Sequence, residues 1–110
     1  MADVLYVALG ALVGAPLRYL AGVLLDERLP SGTIMVNWVG SFLLGWFSGL
    51  GLDGHHLALL GVGFCGALTT YSSFAVQTHD RGPRLGAVNV VVTLVPAIFL
   101  CFAGYAFGQL

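Results

Sequence analysis

The chain has 110 residues, 58% of them hydrophobic and 8% charged, with four arginines, five acids and no lysine. A soluble domain carries roughly a quarter charged residues, and a water-soluble four-helix bundle needs a charged face opposite each apolar stripe. So few charges argue against both and leave lipid as the expected solvent. A net charge of −1 without any basic tract speaks against a nucleic-acid partner.

A membrane-spanning helix needs about 20 mostly apolar residues, and four such runs fill the chain. The first covers about 4–25. Met1-Ala2-Asp3 lacks the positive start of a signal peptide, so the run is expected to be retained. Gly10, Gly14 and Arg18 recur every four residues on one face. An arginine at this depth needs a partner or a wet cavity, which points to function; the competing reading is a side chain snorkelling toward Asp26 and Glu27.

The second run, about 33–52, follows Pro30-Ser31-Gly32 and places Thr33, Asn37, Ser41, Gly45 and Ser48 along one face. In lipid that face must meet protein or water, either as interhelical hydrogen bonding or as the lining of a pathway. The run ends at Asp53-Gly54-His55-His56, whose adjacent histidines share no helix face and read as solvated.

The third run, about 57–76, contains Gly61, Gly63 and Gly66 followed by Thr69-Thr70-Tyr71-Ser72-Ser73-Phe74. Glycine and threonine weaken a helix, and hydroxyls offer its backbone competing bonds. The third helix is therefore expected to be broken near its middle, and such a break is tolerated at membrane depth only in protein or beside a cavity. It frees carbonyls able to coordinate a small cation such as Na+. Tyr71 and Phe74 share a face, and the positive edges of their rings favour an anion; aromatics at this spacing are otherwise simply core. The fourth run, about 84–107, follows His79-Asp80-Arg81-Gly82-Pro83. It carries Asn89 and Thr93 four apart, and Pro96, which either kinks the helix or is merely tolerated in lipid.

The pattern predicts an all-α membrane protein, a single domain of four transmembrane helices, consecutive ones antiparallel. Three GxxxG pairs, Gly10/Gly14, Gly45/Gly49 and Gly104/Gly108, predict closely approaching backbones. Four crossings put both termini and residues 53–56 on one side, which has no arginine, and Arg28, Arg81 and Arg84 on the other. The positive-inside rule then places the termini outside the cell membrane. Cys65 and Cys101 lie in apolar runs and read as small buried hydrophobes. No nucleophile stands with a base and an acid in the spans, and the histidines lack metal-ligand spacing, so an enzyme is not expected.

Three stretches resemble the CrcB/Fluc fluoride channels: Gly14-Ala15-Pro16-Leu17-Arg18-Tyr19; Gly32-Thr33 with Asn37 and Gly40-Ser41-Phe42; and Gly66-Ala67-Leu68-Thr69-Thr70-Tyr71-Ser72-Ser73-Phe74. They occupy three of the four runs in the family's order and spacing. The resemblance implies an antiparallel dimer with two narrow fluoride pores, and a structural Na+ at its centre held by the backbone carbonyls of Gly66 and Thr69. It implies a fluoride path lined by Asn37, Tyr71 and Phe74, with Arg18 as the family's buried arginine. Thr33, Ser72 and Ser73 fall at or near hydroxyl positions beside the path, and Asn89 and Thr93 are the matching polar positions of the last helix. Tyr71 stands where the family has phenylalanine and Ala67 where it has glycine; Pro96 is foreign to the pattern. The function implied is passive export of toxic fluoride, with donors replacing the ion's strong hydration.

The arginine bias sits awkwardly with a homodimer that inserts equally both ways, and predicts instead one orientation and an oppositely oriented paralogue as partner. Two rivals share the architecture. A small multidrug-type antiparallel transporter wants a carboxylate within the membrane, and no Asp or Glu lies inside a run. A non-conducting subunit of a heterodimeric channel has no need of the polar positions retained here.

Overall fold

The computed structural model describes residues 2–25 and 31–110, without the side chains of residues 2 and 71–73. The described residues form five helices: α1, Ala2–Leu25; α2, Ser31–Leu50; α3, Gly54–Leu68; α4, Tyr71–Asp80; and α5, Gly82–Gly108. Three of them, α1, α2 and α5, are long and apolar enough to cross a membrane, whereas α3 is too short to do so alone.

Glycine punctuates the chain. Gly51 takes a φ of 75° just after α2, a left-handed conformation that is cheap only for glycine. Gly82 takes 81° as the first residue of α5. Pro83 follows in the first turn of α5, where its missing N–H would have had no helical acceptor. Residues 82 and 83, which the apolar pattern puts in a loop, thus belong to the start of α5. His79, expected at a helix end, lies within the last turn of α4.

Within α3, residues Leu57–Cys65 are π-helical, with the Gly66 N–H reaching back five residues to the Gly61 carbonyl. Wide turns of this kind are rare and concentrate at functional sites. Helix α3 ends at Leu68, Thr69 is extended (φ −82°, ψ 159°), and helical structure resumes at Tyr71.

The GxxxG glycines bring backbones together. A Cβ at Gly45 or Gly49 would collide with the carbonyls of Cys101 or Tyr105 on α5, and one at Gly104 or Gly108 with those of Phe42 or Trp46 on α2. Gly10 and Gly14 meet the α3 backbone at Leu59 and Phe64 in the same way. These registers set direction: α2 runs parallel to α5, and α1 parallel to α3. Gly40 against Cys65 and Leu44 against Gly61 set α2 antiparallel to α3 and hence to α1, and the tight turn at Arg81 folds α5 back along α4, where Thr78 meets Gly86 and Asn89.

The polarity is that of a protein solvated by lipid. The buried apolar cluster is small: Ala21, Val36 and Leu68, with Phe64 packed on it. Large side chains such as Leu12, Phe99 and Phe102 project outward, each about 70% exposed. The molecule measures 42 × 29 × 20 Å, its long dimension close to that of a bilayer with its headgroups, roughly 40–45 Å.

One end of the bundle is clasped twice. The Nδ1 of His55 lies 3.1 Å from an Asp3 carboxylate oxygen, and its ring stacks on Tyr6 with centroids 4.4 Å apart. The Gln109 amide donates to the Gly49 carbonyl at 2.7 Å. His55, read from the sequence as simply solvated, is exposed but engaged, because the turn that starts α3 sets it beside the first turn of α1.

Candidate functional site

The interruption between α3 and α4 releases backbone groups that a helix would have paired. Thr69 answers locally: its N–H and its hydroxyl both donate to the Cys65 carbonyl, at 3.0 and 2.9 Å. Thr70 answers across the bundle. Its N–H donates to Asn37 Oδ1 at 2.8 Å, and its carbonyl accepts from Asn37 Nδ2 at 3.3 Å. One amide on α2 thereby closes a ring with the backbone N–H and C=O of one residue at the interruption, both residues being buried. Because the Thr70 N–H turns to Asn37, the Gly66 carbonyl loses its α-helical donor. Asn37 Nδ2 retains a second N–H, since one bond to Thr70 uses only one of its two protons.

Beside this ring lies a cavity of about 300 Å³ between α2, α3 and α5. Its polar lining comes from Asn37, Ser41, Thr69, Thr70 and Thr93, and Phe74 adds an aromatic wall. Gly40 and Gly66 complete it with bare backbone. Behind Thr93 runs a chain of side-chain bonds. The Thr93 hydroxyl donates to Asn89 Oδ1 at 3.1 Å, and Asn89 Nδ2 donates to the Thr78 hydroxyl of α4 at 2.8 Å. Asn89 has no exposed surface, so both ends of its amide must be satisfied within the protein.

Of the residues singled out in the sequence, Asn37, Phe74 and Thr93 converge on the cavity, with Gly66 and Thr69 on its wall. Asn89 stands one hydrogen bond behind it. Thr33 is buried on α2 outside the lining, and Arg18 is half-buried on α1, also outside it. The side chains of Tyr71, Ser72 and Ser73 lie outside the described residues. Two participants escaped sequence reasoning. Thr70 acts through its backbone, which carries no residue-type signal, and Thr78 sits in a polar stretch where nothing marks one hydroxyl above another.

A carbonyl-bound cation fits these residues. Gly66 is exposed, a Cβ on it would meet almost nothing, and its carbonyl has lost its α-helical donor to Asn37. A carbonyl at the surface of a helix interruption is the donor type that binds Na+ in membrane proteins.

A chain built of apolar helices around a polar, glycine-lined interruption is a multi-pass membrane protein. Residues 5–107 match the family described as CrcB-like protein, camphor resistance (CrcB), and the chain belongs to that family. It is 51% identical over 108 residues to a protein of Rhodococcus jostii strain RHA1 named fluoride-specific ion channel FluC 2, covering 93% of this chain and 95% of that one. It is 42% identical over 116 residues to the fluoride-specific ion channel FluC of Shewanella pealeana, covering 94% of each. It is 38% identical over 109 residues to fluoride-specific ion channel FluC 1 of Nocardia farcinica, covering 92% of this chain and 77% of that one.

Proposed function

We propose that this protein is a fluoride-selective channel of the cell membrane that lets fluoride leave passively and so lowers its toxicity inside. The observation that carries the reading is the cavity in which Asn37, Phe74 and Thr93 meet beside the interrupted helix. Fluoride is small and strongly hydrated, and a selective pore must replace that shell with donors. The spare Nδ2 proton of Asn37 is one. The Thr93 hydroxyl, which here donates to Asn89, becomes another by rotating about its C–O bond. The edge of the Phe74 ring supplies positive quadrupole character without a competing charge. The family pattern assigns Tyr71, Ser72 and Ser73 to the same path, while Thr33 and Arg18 act outside the cavity described above, Arg18 by drawing anions toward the path.

On this reading α3 and α4 together make the third of four crossings, broken at Thr69 and Thr70. The directions of the helices support it: α4, like α3, runs opposite to α5. The working unit is an antiparallel dimer, with one Na+ at its centre held by the carbonyls of Gly66 and Thr69. That ion supplies fixed positive charge between the subunits; Asn37 keeps the carbonyl of Gly66 available by holding the Thr70 N–H away from it.

The test is fluoride efflux from liposomes containing the purified chain, with chloride as control. Fast efflux that excludes chloride is expected from this chain alone or from this chain with an oppositely oriented paralogue. Failure of both preparations, or equal passage of chloride, would overturn the channel reading.

A further inference from the structure

Pro96 lies inside α5 and has no N–H to give, so the Val92 carbonyl one turn earlier is left without its helical donor. The indole N–H of Trp38 on α2 takes that place, donating to the Val92 carbonyl at 3.0 Å. Trp38 shares an apolar groove with Met35, Val39, Phe42, Leu43 and Leu100, none of which has a side-chain N–H or O–H. An unpaired carbonyl in such a setting is expensive, and Trp38 is the side-chain donor placed to satisfy it. The turn spanned by Val92 and Pro96 also carries Thr93 to the cavity, and Trp38 is the chain neighbour of Asn37, which lines the same cavity from α2.

We infer that Trp38 is a positioning residue for the anion path, holding α5 at its proline so that Thr93 stays in register with Asn37. This rests on the channel reading above, since Trp38 itself does not line the cavity. The foreign Pro96 and the indole form one device: the proline creates the need that the tryptophan meets, and the pair locks the polar turn of α5 to α2 at one point.

The experiment compares fluoride efflux and the fluoride-to-chloride ratio for the unaltered chain, Trp38→Phe, Pro96→Ala and the double variant, each reconstituted at equal amounts of folded protein. Phenylalanine keeps an aromatic ring and removes the donor. Alanine at 96 restores a backbone N–H to Val92 and makes the indole redundant. Trp38→Phe is expected to slow efflux about tenfold and to lower the ratio, as loss of the partner of a buried polar group implies. The double variant is expected to lie within about twofold of Pro96→Ala, because the restored N–H rescues it. Trp46→Phe, which removes the other indole, is expected to leave the ratio unchanged. Independent effects of Trp38→Phe and Pro96→Ala would overturn the inference, as would an unaltered ratio in Trp38→Phe. Thermal unfolding in detergent reads the pairing without transport. Coupling of the two sites there, in a chain that conducts no fluoride alone or with a paralogue, would overturn the channel reading while leaving the Trp38–Val92 bond in place.

Discussion

Asn37 carries two duties with one amide. Its oxygen and one of its N–H groups hold Thr70, and the same side chain lines the cavity with one N–H left over. The duties separate by substitution. Asn37→Ala removes both bonds that tie the buried Thr70 backbone to α2, and loss of the partner of a buried polar group costs about 1–3 kcal/mol; efflux is expected to fall at least tenfold and the protein to unfold at lower temperature. Asn37→Asp keeps an acceptor for the Thr70 N–H but loses the donors and sets a negative charge in the path of an anion. It is expected to fold better than the alanine variant and still to pass no fluoride in the efflux assay. Thr93→Val tests the other wall. It preserves shape, removes the hydroxyl and leaves Asn89 Oδ1 without that donor; efflux about tenfold slower is expected, with Thr93→Ser restoring it.

At the scale of the helix, glycine governs what can touch. Gly45 on α2 sits against the Cys101 carbonyl of α5, and Gly104 returns the contact against Phe42. Gly45→Leu must push backbone rather than a flexible side chain. Overpacking costs about 1–3 kcal/mol and here separates the helices that hold Asn37 and Thr93 together. Loss of a single sharp peak in gel filtration, together with loss of efflux, is the expected result. These glycine contacts were legible in the sequence because GxxxG is a local spacing with one physical meaning in lipid. The polar faces of the second and fourth runs were legible for the same reason: residues four apart share a face, and a polar face cannot point at lipid. Other features depend on pairings between distant residues and were not. The clamp on Thr70, the support of Asn89 by Thr78, and the indole bond that satisfies the Val92 carbonyl join positions with no sequence relation. Nor does residue spacing distinguish the π-helical turns of Leu57–Cys65 from ordinary helix. Arg18 and Thr33 show the limit from the other side, since residue type marked them as polar in lipid but could not say that both stand away from the cavity.

At the scale of the molecule, the Asp3–His55 and Gln109–Gly49 contacts gather the two chain ends at one end of the bundle, and the α4–α5 turn with Arg81 and Arg84 lies at the other. The gathered end carries acids but no arginine. A chain that inserts in both orientations gains nothing from such asymmetry, whereas one that inserts in a single orientation is steered by it, with the arginine-bearing loops kept in the cytoplasm. An epitope after Leu110 is therefore expected to be reached by antibody from outside intact cells, and one placed between Asp80 and Gly82 only after the membrane is opened. Replacing Arg81 and Arg84 by alanine removes most of the bias and should make both epitopes partly accessible from each side. If the unaltered chain already shows equal labelling from the two sides, it inserts both ways, and two of its own copies suffice for an antiparallel channel. If labelling is one-sided, an antiparallel partner must be another chain of opposite bias, and fluoride efflux is expected only where both are present.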